Sequence, residues 1–456
     1  MIVASAFFVS LAHGQPPSIL DSVEVTPANV PIDPLQPALD GFSSLESAIN
    51  AAPPIKKPAA SPSDVAPVVA RQPNPPVPNP PVPNPPVIAA ADPEPKFWLQ
   101  KRKPRSRTYA QLDYLLWWAG DSELPSLLTT DPTGTPLADV GVTSSSRTIY
   151  GNETVGDWAH SGLRLRLGRS FSNSRLSRME LDLWTLFEGS DDFDTSSTGG
   201  TPILSRPFNN AQTGSGDAQI ISYPGTSNGS FNAEYSRRAF GIDPTIFICL
   251  GAKDCRWLEF TTGYRYLNLQ DELTLNEHVV LEPGGLIAPG TGFDVQDQFT
   301  ATNQFHLWQI GLSHTEYHGD WLLNARGNLG LGAAIKEVEI EGSTVGFIGS
   351  TVTSTQSAGF LALHTNRGNH DETDFTVIPE LNLNLQRRLG DNWTANVGYT
   401  VIFLADAVKA VDHVPTTIDP RNLPTPQPGA GPDPQFAFVN DDIWLHGLNF
   451  GLRYEF

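Results

Sequence analysis

The chain has 456 residues, with 49 Asp and Glu residues against 29 Lys and Arg residues, and its formal net charge is −20. This excess of negative charge argues against general affinity for nucleic acid, which is itself a polyanion. The longest apolar run, residues 1–12, is too short for a membrane-spanning helix, which needs about 20 apolar residues. If the chain crosses a membrane, it must therefore cross as a closed β-barrel.

The first 107 residues have the composition of an exported, unstructured extension. Residues 1–14 predict a signal peptide, because an apolar stretch precedes small residues at a cleavage site, although the usual basic residues before it are missing. Residues 15–95 are rich in proline and repeat Pro-Asn-Pro-Pro-Val three times, which predicts a disordered periplasmic linker, either passive or in contact with the cell wall or envelope. Residues 96–107 hold six Lys and Arg residues, and we expect this basic juxtamembrane segment to contact anionic headgroups.

The end of the chain has the pattern of an outer-membrane strand. Side chains alternate between the two faces of a strand, and the last one places Leu448, Phe450, Leu452, Tyr454 and Phe456 on one face. An aromatic terminal strand whose apolar face meets lipid is typical of outer-membrane barrels. We therefore predict that these five residues form a C-terminal insertion signal, with the barrel assembly machinery and outer-membrane lipid as partners.

Residues 108–456 contain about ten segments with this alternation, and eight to twelve strands are compatible with it. The predicted strands are 109–118, 157–169, 179–188, 240–248, 258–266, 299–316, 321–335, 375–386, 394–403 and 444–456. Their connections are long and short in strict turn, and the long ones, rich in polar residues, are predicted to be surface loops. The fold class is therefore predicted to be all-β, an antiparallel transmembrane up-and-down β-barrel. A soluble secreted β-sandwich is the alternative.

The face opposite the apolar one carries charges of both signs. Asp243 and Glu455 lie on this face. The predicted lumen-lining residues on it are Asp113, Arg164, Arg166, Glu180, Asp182, Glu259, Arg265, Arg326, Glu380 and Arg453. In an open pore such residues set ion selectivity, whereas in a narrow barrel they pair across the lumen and plug it. The sequence leaves both alternatives open. Tryptophans near strand ends predict two aromatic girdles, with Trp117 and Trp118 in the outer one.

The chain contains little that suggests catalysis. Cys249 and Cys255 flank a predicted tight turn, and a disulfide between them is expected in an oxidising compartment, with two free thiols as the alternative. Acidic and histidine residues in the loops, at Asp191, Asp192, Asp194, His364 and His370, are candidates for a site at the rim. No nucleophile is placed beside a base. We expect no enzyme activity, no cofactor and no metal site.

Several short motifs, in the same order along the chain, resemble the putative beta-barrel porin 7 family of outer-membrane proteins. The matching residues are Tyr114–Trp118 with Leu124, Pro125 and Leu128–Thr130; Gly263–Leu267 with Leu269, Glu272 and Leu273; Thr302, Asn303 and Phe305; Phe375–Glu380 leading to Gly398 and Tyr399; and Gly447–Phe456. The resemblance covers residues 108–456. One departure is Lys409–Val411, where the family usually has Arg-Pro-Gly. The resemblance implies a porin without catalytic residues.

The leading functional hypothesis from the sequence is porin-like passage of small hydrophilic solutes through an outer-membrane barrel. The alternative is a non-conducting structural or surface-interaction barrel, with the proline-rich segment as a periplasmic tether.

Overall fold

The computed structural model describes residues 108–171, 177–253, 256–284 and 287–456. The predicted signal peptide, proline-rich linker and basic segment lie outside these residues, as does Cys255. Within them there is no α-helix, and no helix is long and apolar enough to cross a membrane.

Ten long antiparallel strands form a closed barrel in the described part of the chain. They are β1 Thr108–Ala119, β2 Ala159–Ser170, β3 Ser177–Ser196, β4 Ser227–Lys253, β5 Arg256–Leu281, β6 Thr291–His318, β7 Trp321–Ile348, β8 Gly368–Arg388, β9 Trp393–Val408 and β10 Asn440–Glu455. Each strand pairs with its neighbour in sequence, and β1 pairs with β10 to close the ring. The predicted fold class and strand number are therefore confirmed.

Shorter elements lie in the long connections. These are the strands Ser122–Glu123, Leu128–Asp131, Arg147–Tyr150, Thr154–Val155, Ile203–Asn210, Ser215–Ser222, Thr351–Gln356 and Thr417–Ile418, and the 3-10 helices Leu137–Asp139, Val411–His413 and Pro420–Asn422. The strand Ile203–Asn210 pairs with Leu128–Asp131, Ser215–Ser222 and Thr417–Ile418. One small sheet thus ties together three long connections at the same end of the barrel, which we call the outer end.

The strands are longer than predicted, and this corrects the interpretation of the long segments as loops. In β5 the outward side chains from Leu258 to Tyr266 are apolar or aromatic apart from Thr262. From Asn268 to His278 they are polar, while Leu273 and Leu275 point inward and are buried. The strand therefore continues, but its outer face is now polar and its inner face apolar. An apolar outer face suits lipid and a polar one suits water, so β5 crosses the membrane up to about Tyr266 and then projects beyond it. The predicted loop 271–298 is mostly strand.

The barrel interior is packed in three layers. The inner layer, nearest the short turns, consists of charged residues on β1 to β5, β7, β8 and β10. The middle layer is apolar and contains Leu115, Trp117, Trp184, Leu267 and Leu307. The outer layer is a larger apolar core that joins inward side chains of the projecting strands to residues of the long connections.

Candidate functional site: the barrel interior

The inner layer consists of the charged residues that the sequence placed in the lumen. All ten predicted residues lie on the inner face, and nine of them are less than one-tenth exposed. Around Asp182, Arg166 Nε lies 3.0 Å and Arg164 Nε 3.3 Å from a carboxylate oxygen. Arg166 also lies 3.8 Å from Asp113. These arginines are therefore neutralised by carboxylates from adjacent strands.

Other pairs cross the barrel. Arg326 on β7 lies 3.1 Å from the Glu180 carboxylate on β3, on the far side of the ring. Arg265 on β5 donates to Glu380 on β8 and lies 2.6 Å from Asp243 on β4. These side chains reach into the lumen from different strands and pair there.

Two important members of the network are missing from the sequence-based set. Arg178 on β3 bonds Glu259 at 3.0 Å and Glu180 at 3.2 Å, and Tyr109 on β1 donates to Glu180. Arg453 lies over the Tyr109 ring at 3.5 Å. Tyr109 lies on the same face of β1 as Asp113, and Arg178 on the same face of β3 as Glu180. The alternation alone would therefore have identified both as inward. They were missed because each lies beside a predicted strand end.

A recess of about 140 Å³ opens at the short-turn end, below this network. Tyr109, Arg178 and Glu259 are among the residues that line it, together with the predicted lumen residues Arg166 and Arg453. The recess therefore leads from the inner mouth to the ion pairs.

The middle layer corrects the prediction of an outer girdle containing Trp117. Trp117 points inward and is completely buried, 5.1 Å from the Trp184 ring. Its Nε1 donates to Asn449 Oδ1 at 2.9 Å, and the Arg164 guanidinium lies 5.0 Å from its ring. Together with Leu115, Leu267 and Leu307, this bulky pair forms an apolar layer in the lumen just above the charged one.

The outer layer is closed by a connection that folds inward. Phe360 to Leu363, between β7 and β8, are at most 3% exposed. The Asp297 Oδ1 atom accepts hydrogen bonds from the backbone N–H groups of Leu361 and Ala362, at 2.8 Å each. This carboxylate on β6 thus fixes the connection inside the barrel.

A buried charge cluster holds the same region. Arg206 lies 2.9 Å from Asp297 and 3.5 Å from Glu277, and its guanidinium lies 4.7 Å from the Phe360 ring. One arginine faces two carboxylates. Burial, together with the nearby negative charge of Asp297, raises the pKa of Glu277 to about 7 despite the opposing effect of Arg206.

The remaining sequence candidates are not assembled into a site. Asp191, Asp192 and Asp194 lie exposed on β3, whereas His364 and His370 lie near the start of β8. No hydrogen bond or ion pair given for the described residues joins the two groups. Cys249 is half-buried near the inner end of β4. Its expected disulfide with Cys255 stays a prediction.

The terminal strand has the predicted two faces. Phe450, Leu452 and Phe456 are exposed on the outside, whereas Asn449 is buried inside. The Tyr454 ring lies 4.8 Å from Trp393 and 5.2 Å from Phe456, which makes an aromatic patch at the inner rim. The role of Leu448, Phe450, Leu452, Tyr454 and Phe456 as an insertion signal stays a prediction.

A family model described as "Putative beta barrel porin-7" matches residues 109–456. The chain belongs to this family. It is therefore an outer-membrane β-barrel protein, as the resemblance in the sequence implied. No curated protein matches the chain.

Several solved barrels are similar at low identity. The Escherichia coli outer membrane protease OmpT matches with a TM-score of 0.37 and 10% identity, over 78% of this chain and 99% of that one. A Pseudomonas aeruginosa FadL homologue matches with a TM-score of 0.20 and 8% identity, over 77% and 90% of the two chains. The P. putida toluene transporter TodX matches with a TM-score of 0.20 and 7% identity, over 78% and 91%.

Proposed function

We propose that this protein is a non-conducting outer-membrane barrel that supports the folded structure at its outer end. The observation that carries the proposal is the set of buried ion pairs across the membrane-level lumen, such as Arg326 with Glu180. A water-filled pore leaves its charged side chains hydrated. In this barrel, Arg164, Arg166, Arg265 and Arg326 are at most 8% exposed. The tryptophan pair above them supports the same conclusion.

In this proposal, the structure at the outer end carries out the function by making contacts. Its long connections share a small sheet and an apolar core, so they present a fixed surface rather than separate loops. We expect this surface to make the contacts for which the protein is exported. We expect no catalytic role, and the proline-rich segment is proposed to tether the barrel to the cell wall or envelope.

The test is the conductance of the full chain in planar bilayers, with insertion verified by β-content and by protease protection in vesicles. We expect insertion without discrete conductance steps. Reproducible steps from the wild-type protein would reject the proposal.

The second candidate is porin-like passage of small hydrophilic solutes, which the family description and the recess at the inner mouth favour. Passage requires the ion pairs to open. In that case the wild-type protein conducts, and replacing Arg164, Arg166 or Glu180 by a neutral residue shifts the ion preference. Liposome swelling with sugars of increasing size then measures the solute limit.

A further inference from the structure

The barrel wall is not completely paired between β8 and β9. β8 pairs with β7 from Gly368 to Arg387, but it pairs with β9 only from Glu380 to Arg388. Residues 368–379 of β8 therefore have a strand partner on one side alone, within the part of the chain that the structure describes. We call this segment the free edge.

The free edge exists because the outer end of β9 separates from β8 while it remains paired with β10. The β9 register with β10 shifts between Leu404 and Ala407, where Asp406 has a φ of 56°. Beyond the shift, the backbone N–H and C=O of Val408 each bond the Asn303 side chain at 2.8 Å, on the inner face of β6. The end of β9 is thus held inside the barrel, away from β8.

The position of the free edge agrees with the physics of the membrane. The ring is continuous at the level of the lipid-facing residues Leu381 and Leu383. Phe375 and Val377 are the last apolar side chains on the outside, and Thr373 and Asp371 follow. Unpaired backbone groups are very costly in hydrocarbon but are hydrated in water. Residues 375–379 of the free edge thus lie at the outer border of the lipid-facing band, and residues 368–374 lie beyond it, in water.

The segment 434–439 lies behind the gap without joining the sheet. Phe436 stacks on His370 with ring centroids 3.6 Å apart, and Phe438 lies 6.0 Å from the Lys336 amine. No backbone hydrogen bond given for the described residues connects this segment to the free edge. The hydroxyl of Thr376 reaches the Ala405 carbonyl, at 3.5 Å, near the lower end of the gap. The contacts across the gap therefore involve side chains and leave the strand edge open.

The surroundings of the gap are strongly acidic. The carboxylates on β7 to β10 near it are Glu337, Glu339, Asp371, Glu372, Asp374, Asp406, Asp441 and Asp442. The cations are Lys336, which pairs with Glu372 and Asp374, Lys409, which pairs with Asp441, and Arg367 just before β8. Negative charge thus exceeds positive charge around the free edge.

We infer that the free edge is a docking site for an extended, Lys- and Arg-rich peptide segment of another protein, which adds to β8 as a strand. Strand addition at an exposed edge supplies main-chain hydrogen bonds, and the acidic surroundings select a cationic partner. A second copy of this chain is disfavoured, because pairing two such edges brings like charges together. The inference does not depend on whether the interior conducts.

The test uses the full chain in detergent micelles and a synthetic peptide of about ten residues that alternates Lys with Thr. Hydrogen exchange is measured by mass spectrometry, and the peptide is expected to protect amides within 368–379 and to leave those of β5 unchanged. Two matched peptides, one with Glu in place of Lys and one with prolines that remove donors, are expected to bind at least about tenfold more weakly. Equal binding of the proline peptide would show electrostatic adsorption alone and would overturn strand addition.

Paired charge variants test the location. The triple variant Asp371→Asn, Asp406→Asn and Asp442→Asn is expected to weaken the Lys peptide about tenfold. The control Asp192→Asn, Asp194→Asn and Glu234→Gln removes the same charge from the outer face of β3 and β4, where the wall is paired, and should leave binding unchanged. Equal losses in both variants would overturn the assignment. So would protection, before any peptide is added, of those amides within 368–379 that do not bond β7, since the edge would then already be covered by this chain or by a second copy.

Discussion

Arg326 and Glu180 meet across the width of the barrel, with 3.1 Å between Arg326 Nη1 and Glu180 Oε1. Removing Arg326 leaves the buried Glu180 carboxylate with Arg178 as its one remaining close counter-ion among the described residues. We therefore expect Arg326→Ala to lower the free energy of unfolding by about 3–5 kcal/mol. Urea unfolding in lipid vesicles, followed by tryptophan fluorescence, measures this.

The control for this pair is the double variant Arg326→Met with Glu180→Gln. It removes both charges, so its loss of stability should be clearly smaller than the sum of the two single losses. Additive losses would show that the two side chains do not interact in the membrane.

Gly451 on β10 is required by the charged layer. It pairs with Asp113 on β1, and a Cβ atom at position 451 would overlap the Asp113 carboxylate and lie 2.7 Å from the Leu112 carbonyl oxygen. We expect Gly451→Ala to reduce the yield of folded barrel severely, as measured by the heat-modifiable gel shift. Gly327→Ala is the matched control, because a Cβ atom there meets no neighbour. Similar yields for both variants would contradict the register between β1 and β10.

The Glu277 carboxyl group should make the outer layer sensitive to pH. Its pKa in the folded protein is raised to about 7, so folding favours the protonated form. The stabilisation is present at low pH and is lost as the pH rises from the unfolded value towards about 7, with an expected size on the order of 2–3 kcal/mol. Hydrogen exchange in the connection 357–367 should therefore be faster at about pH 8 than at about pH 5 after correction for intrinsic rates.

The variant Glu277→Gln isolates this effect and should abolish the faster exchange at about pH 8. It is needed because His413, also in the outer layer, acts in the opposite sense. Burial lowers the pKa of His413, so its contribution to stability is lost as the pH falls. An unchanged pH dependence in Glu277→Gln would assign the faster exchange at high pH to a group other than Glu277 and His413.

The sequence predicted the membrane-level barrel well, because lipid requires nearly every outward residue to be apolar. On β2, for example, Leu163 and Leu165 are exposed on the outer face, and Arg164 and Arg166, which alternate with them, are buried inside. Beyond the membrane that requirement ends: the outer face becomes polar and the inner face apolar. The sequence therefore shows no apolar outer face there, and Leu273 and Leu275 were assigned to a loop. The choice between a selective pore and a plug depended on side-chain distances, which the alternation does not contain.

The inward position of Trp117 is the clearest difference between sequence and structure, and it can be tested by lipid quenching. Trp117 is fully buried beside Trp184, whereas Trp308 is 60% exposed on the outer face of β6. Brominated acyl chains quench indoles that they contact. We expect Trp308→Phe to lower the quenched fraction of the total fluorescence in brominated vesicles, and Trp117→Phe to raise it, since the latter removes a protected emitter. A fall in the quenched fraction for Trp117→Phe would show that this ring contacts lipid. Trp117 would then not belong to the apolar layer above the charged one.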